Sequence, residues 1–143
     1  MTRSDAIAEL QKFTKLATVA QCDTGDSRAG FGSAIDSALR EMGTDEGDLA
    51  TAEVAASDVP AFLALCDYYA LKMLKVYLAS DAVDYSVTAN DGTVNEKRSQ
   101  TITAVNALLA DAKEEVRRLG YLDSDFEIVS FNTNWIEPTS AEI

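Results

Sequence analysis

Ile102, Val105, Leu109, Ala112, Val116 and Leu119 follow one another at intervals of 3, 4, 3, 4 and 3 residues. Only an α-helix brings such a set onto one side, so the spacing predicts a helix from about Lys97 to Leu119 with one narrow apolar seam. Lys113, Arg117 and Arg118 fall in its last turns, where cations complement the helix dipole, and Gly120 is its stop. A helix with so thin a seam needs a partner. Ser57-Asp58-Val59-Pro60 opens one, with capping residues ahead of a proline whose missing N–H costs nothing in a first turn. From there to about Ala79 the apolar residues Phe62, Leu63, Leu65, Cys66, Tyr69, Ala70, Met73, Leu74, Val76, Tyr77 and Leu78 cover more than one face. That distribution predicts a central helix touching neighbours on two sides, one of them the seam of the later helix, packed antiparallel.

The rest of the chain organises around this pair. Ser4 or Asp5 is expected to cap a first helix bearing Ile7, Leu10, Phe13, Thr14, Leu16 and Ala17, ended by Gly25. A second helix is expected over Phe31–Met42, with Ile35, Ala38, Leu39 and Met42 on one face and Gly43 as its stop. Thr44–Asp48 reads as an exposed acidic connection, and the alanine-rich 49–56 as a further turn or two of helix. Between the long helices, β-branched residues flank Asp91-Gly92 over Val83–Asn95, which predicts a hairpin or β-like loop. Phe126–Phe131 reads as a short strand, followed by Trp135, the only tryptophan. The expected fold is mainly α: a small helical bundle around two long antiparallel helices joined by a hairpin-like loop, with an extended C-terminal arm. Residues 1–120 would form the helical domain and 121–143 the arm.

Charge narrows the function classes. The 143-residue chain carries a formal net charge of −12, has a pI near 4.2 and contains no histidine. Its 47% hydrophobic content separates it from disordered acidic chains. A negative balance opposes binding to a phosphate backbone, which depends on Lys and Arg displacing counterions, and disfavours anionic membranes. The only net-basic stretch is 97–119, with five basic and three acidic side chains, and a single cationic stripe of this kind is usually a solvated helix face. Cys22 and Cys66 stand far apart in no metal-like spacing, so no disulfide framework is expected. No secretory leader pattern and no run of about 18 apolar residues is present, so the chain is expected to be soluble and intracellular when made.

Catalytic chemistry has little to stand on. Without histidine the usual general base and commonest metal ligand are missing. No phosphate-binding glycine loop, CxxC pair or Gly-x-Ser-x-Gly occurs, and Asp45-Glu46-Gly47-Asp48 lacks the EF-hand spacing. The expectation is a non-enzyme with no cofactor and no metal site. The tail is the most distinctive remaining segment: Phe126, Ile128, Phe131, Trp135 and Ile136 crowd into it among acids and without one basic residue. It could lie back as an edge strand on its own domain, or serve as an arm that adds to a partner's sheet.

The order of elements from Pro60 to Gly120 carries a resemblance. A long apolar helix ends in Ala79-Ser80-Asp81-Ala82, and Val83-Asp84-Tyr85-Ser86-Val87 leads to Asp91-Gly92. Thr93-Val94-Asn95 and Arg98-Ser99-Gln100 then open a helix that closes on Ala112-Lys113-Glu114-Glu115-Val116-Arg117. This pattern resembles the small head–tail connector proteins of tailed bacteriophages, also called adaptor or neck proteins. The turn is longer here, with Thr88-Ala89-Asn90 ahead of Asp91.

The resemblance implies a virion protein, present in host cytoplasm during assembly. It would form a homo-oligomeric ring, usually twelve-fold, beneath the portal. The ring would join capsid to tail and let DNA pass without specific binding. The arm residues Phe126, Ile128, Phe131, Trp135 and Ile136 would then clamp the portal protein. Asp84, Tyr85, Asn90, Asp91 and Gly92 would form an inter-subunit loop, and a stopper or tail-completion protein would meet the other end; no membrane is involved. The alternative left open by the residues is a small acidic regulatory or DNA-mimic protein that binds a basic protein partner.

Overall fold

The computed structural model of the chain describes residues 1–88 and 92–122, with side chains at 1–79 and 99–122. Its first helical segment is broken: α1 (Arg3–Leu10) runs through a 3-10 turn (Gln11–Phe13) into α2 (Thr14–Ala20). α3 (Phe31–Glu41) follows, then two short 3-10 turns (Glu46–Asp48 and Ala56–Asp58), α4 (Val59–Thr88) and α5 (Gly92–Arg118). The architecture is mainly helical, as expected, and the two long helices α4 and α5 pack together. Among the described residues there is no strand; a parallel bridge between Asp23 and Gly30 is the sole β-type pairing among them.

The seam of α5 lies where its spacing placed it. Val105 and Val116 are fully buried, and Ile102, Leu109 and Ala112 pack half-buried against the core. α4 is the centre of the molecule. Phe62, Leu65, Cys66, Ala70, Leu71, Leu74 and Leu78 are all buried, and the helix packs against α3 on one side and α5 on another, with α1 and α2 beneath. Its apolar residues cover more than one face because neighbours pack on more than one side. α3 buries Phe31, Ala34, Ile35, Ala38 and Leu39 as its pattern requires.

Both glycine stops work by the same chemistry. At the end of α3, Gly43 (φ 92°) donates its amide to Arg40 O at 3.0 Å, and Thr44 donates to Leu39 O at 3.0 Å. At the end of α5, Gly120 (φ 95°) donates to Arg117 O at 2.9 Å, and Tyr121 to Val116 O at 3.1 Å. Each pair satisfies helix-end carbonyls while the glycine takes a left-handed conformation closed to most side chains.

Three local expectations are corrected. The first helix is capped by Thr2, not by Ser4 or Asp5. Thr2 and Asp5 form a reciprocal capping box, in which each side chain accepts from the other's amide (3.3 and 3.0 Å), so Asp5 sits inside the first turn. That segment ends at Gln21, in the left-handed region (φ 57°), because the Cys22 amide finds the Ala17 carbonyl at 2.9 Å. Gly25 instead belongs to the following loop and donates to Asp23 Oδ1 at 2.9 Å. The alanine-rich 49–55 forms no α-helix; of it only Leu49 is buried, and a short stretch has too few apolar contacts to pay for helix nucleation.

The largest difference lies between the long helices. The expected β-like loop over 83–95 is helical at 83–88 and again at 92–95, so α4 runs nine residues beyond Ala79 and α5 begins five before Lys97. Extending an existing helix adds one hydrogen bond per residue without a new nucleus, which outweighs the few tenths of a kcal/mol by which Val and Thr disfavour helix. Asp84 and Tyr85 therefore belong to α4 and Gly92 to α5, whereas Asn90 and Asp91 lie outside the described residues. At 1.5 Å per residue, α4 is about 45 Å long and α5 about 40 Å.

Candidate functional site

Antiparallel pairing of α4 and α5 leaves a groove on one flank of the pair, closed at its back by the 3-10 turn after α1. Ala64, Asp67 and Leu71 of α4 face Leu108, Asp111, Ala112 and Glu115 of α5, with Lys12 and Phe13 between; the space is about 380 Å³. Its floor is apolar. Its rim carries three carboxylates and one ammonium, and Glu115 is also paired with Arg118 of the same helix. Lys12 bridges to Asp67 at 2.8 Å and lies 5.2 Å from the centre of the Phe13 ring. Burial pushes the Asp67 carboxyl upward, and the hydrogen bond from Lys12 works against that shift. Asp111 and Glu115 are exposed one helical turn apart, and Leu108 keeps 40% of its surface in water.

A second, shallower depression of about 280 Å³ lies between α3 and α4, lined by Ser33, Ala34, Ser37, Tyr69, Lys72, Met73 and Val76. Lys72 is the charged side chain of this lining, and the Tyr69 hydroxyl donates to Glu41 at 3.5 Å. Lys72 and Lys75 are exposed, and Lys72 sits 5.7 Å from the centre of the Tyr68 ring. Val76 is 60% exposed and, with Leu108, makes up the exposed large hydrophobics among the described residues. Each of these apolar residues therefore lies beside charged side chains. Such surfaces suit protein partners rather than small reactants.

A third cluster is internal bracing. Arg3 donates from Nε to Asp26 (2.7 Å) and from Nη1 to Asp36 (2.7 Å) and the Leu49 carbonyl (3.2 Å). Its Nη2 donates to the Gly32 carbonyl (3.1 Å). The Asp26 bond, followed by that to Asp36, raises the guanidinium pKa against the opposing effect of burial. One cation thereby ties α1, the 22–30 loop, α3 and the segment after it. Sequence reasoning passed over Arg3; the clue was a cation in the first turn of a helix, where the dipole disfavours it and some other attraction must hold it.

Reactive chemistry is sparse on the described surface. Burial pushes the Cys66 thiol up to about 12 and that of Cys22 up to about 11, so neither is a thiolate near neutral pH. Among the described residues no group of three or more Cys, Asp or Glu side chains is placed to hold a metal ion, and no helix is long and apolar enough to cross a membrane. Glu46, in the acidic connection singled out from the sequence, pairs instead with Arg40.

Of the residues expected to act, Asp84 and Tyr85 sit near the end of α4 and Gly92 at the start of α5, at the same end of the helix pair. Phe126, Ile128, Phe131, Trp135 and Ile136 lie outside the described residues. The two charged faces escaped the sequence reading because each combines residues from separate elements, such as Lys12, Asp67 and Asp111. Comparison with known protein families, curated proteins and solved structures finds no match.

Proposed function

We propose that this chain is a structural subunit of a bacteriophage head–tail connector, forming a ring below the portal and joining capsid to tail. The observation that carries the reading is the α4–α5 pair. Two helices of 30 and 27 residues pack side by side, yet among its described side chains α5 gives only a narrow seam to the core and turns the others outward. A helix so lightly used by its own domain is available to neighbours. The reading is further supported by the sequence beyond residue 122, where Phe126, Ile128, Phe131, Trp135 and Ile136 among acids suit an arm that docks on a partner. A net charge of −12 suits a conduit, because a negative wall does not grip the passing phosphate backbone.

The arm provides the test. A chain truncated after Leu122, which keeps the Tyr121 amide on Val116 O and both side chains against the core, is expected to keep its helical circular dichroism and melting transition but to lose co-sedimentation with portal-bearing capsids. In the full chain, Trp135 emission should shift to the blue on joining the portal. Full retention of capsid binding by the truncated chain would defeat the reading. So would a compact one-to-one complex with a basic protein and no affinity for capsids, which is the behaviour of an acidic regulator.

A further inference from the structure

We infer that in the free chain its own segment Trp135-Ile136-Glu137 lies in the depression between α3 and α4, with the apolar pair against Met73 and Val76 and Glu137 facing Lys72. The inference goes beyond the connector reading and does not rest on it. A portal-binding arm and the tail of an acidic regulator would be covered in the same way until a partner draws them off.

The depression offers hydrogen-bond donors and apolar surface together. Ser33 and Ser37 stand one turn apart on α3, both half-buried, and Lys72 and Lys75 are exposed on α4. Among the described residues no carboxylate pairs with either lysine, and no hydrogen bond occupies either serine hydroxyl. Glu41, beside this lining, is engaged by the Tyr69 hydroxyl. Val76 keeps 60% of its surface in water, next to a half-buried Met73. Such a surface suits a segment that brings carboxylates and large apolar side chains but no cation. A cation would meet Lys72, and a wholly polar segment would leave Val76 wet.

This chain carries a segment of that composition. Residues 123–143, outside the described residues, hold five carboxylates and no lysine or arginine, and Trp135 and Ile136 adjoin Glu137. The chain is still on the bundle at Leu122. Tyr121 and Leu122 pack against the core, and left-handed Gly120 (φ 95°) and Leu122 (φ 69°) turn the backbone out of the line of α5. Because α5 runs antiparallel to α4, it ends beside the start of α4. Val76 is 17 residues along α4 from Val59, about 26 Å. Trp135 is 13 residues beyond Leu122 and can reach about 45 Å. The reach is ample. The groove between α4 and α5 is nearer, but an acidic segment would meet Asp67, Asp111 and Glu115 there.

The cover is light. The space is about 280 Å³ and shallow, so Trp135 is only partly enclosed in it, and its emission still moves to the blue when a portal encloses it. A docked form a few times more populated than the free one is enough, so the bundle does not depend on the segment and a partner can take it.

Trp135 is the only tryptophan, so its emission and its quenching by acrylamide report on this segment alone. In the full-length wild type at low salt, quenching should be about twofold weaker than in Lys72→Glu/Lys75→Glu, as a docked form of that population requires. Emission of the variant should lie to the red, with unchanged circular dichroism because both positions are exposed. Rising salt should bring the wild type toward the variant. Glu137→Lys should expose Trp135 in the wild-type background and cover it again in the Lys72→Glu/Lys75→Glu background. Leu108→Ala, in the other groove, should leave quenching unchanged.

A wild type quenched as strongly as the variant would overturn the inference, and so would a Glu137→Lys change that does not restore cover. Cover lost in Leu108→Ala would place the segment in the α4–α5 groove instead, and cover that fades on dilution would place it on another molecule; either result defeats the proposal. None of these outcomes bears on capsid binding, which judges the connector reading separately.

Discussion

α4 and α5 have nearly the same length and lie side by side, but they are used differently. α4 buries residues around most of its circumference, from Phe62 to Leu78, and leaves Lys72, Lys75 and Val76 outside. α5 fully buries only Val105 and Val116 among its described side chains, and presents the rest of its circumference outward. The lesson concerns the division of labour in a small bundle: one helix holds the fold together, and the other is held by it and left free to meet partners. Composition along the two helices already reflects this. α4 is apolar over most positions, whereas α5 carries charged residues at 96–98 and within 111–118 and uncharged polar ones such as Ser99, Gln100, Thr103 and Asn106 between them.

The sharpest attempt to break the contrast is to open a cavity in each helix. Leu74→Ala, at a fully buried site in the middle of α4, should cost about 3–5 kcal/mol in urea unfolding, from lost burial plus the cavity left behind. Leu109→Ala, half-buried on the α5 seam, should cost about 2 kcal/mol, the lower end for such a change. Equal losses would mean that both helices are structural to the same degree.

A gentler test uses the carboxylate that α4 holds half-buried. The folded state raises the Asp67 pKa, so the native protein retains that proton to higher pH than the unfolded chain does. Its contribution to stability therefore falls as pH rises from the ordinary carboxylate pKa through the raised one. Melting temperatures of Asp67→Asn and wild type, compared across that range, should diverge in favour of the variant as pH rises and run parallel above it. Asp5, Asp23 and Glu46, whose pKa values are lowered by hydrogen bonds from Thr2, Ser27 and Arg40, act with the opposite sign: their support is complete above the ordinary carboxylate pKa and is lost as pH falls below it. Divergence at low pH alone would show that Asp67 behaves like these exposed groups.

The smallest effect is the most pointed. Leu108→Ala stands next to Leu109 in sequence and removes the same atoms, yet on the outward flank it should change stability by no more than about 0.5 kcal/mol. If it costs as much as Leu109→Ala, α5 is buried more broadly than a single seam and has less surface to offer a neighbour.

Much of the bundle was legible in the residues themselves. The seam from Ile102 to Leu119, the two-sided burial of α4 from Phe62 to Leu78, and the stops at Gly43 and Gly120 are local facts. Apolar spacing records which side of a helix is kept from water, and a left-handed turn selects glycine through sterics alone, so neither needs knowledge of distant residues. The helical state of 83–88 and 92–95 was not legible, because β-branched residues flanking Asp91-Gly92 suit a hairpin in isolation and yield to helix propagation when two long helices already flank them. Arg3 and the charged faces were beyond the sequence for a different reason. Arg3 meets Asp36 and Leu49 across 33 and 46 residues, and Lys12 meets Asp67 across 55. Polar pairing leaves no period in the sequence, since any exposed Lys or Asp satisfies its local helix equally well. Only the packing of α1, α3, α4 and α5 decided which charges meet, and which are left to face outward.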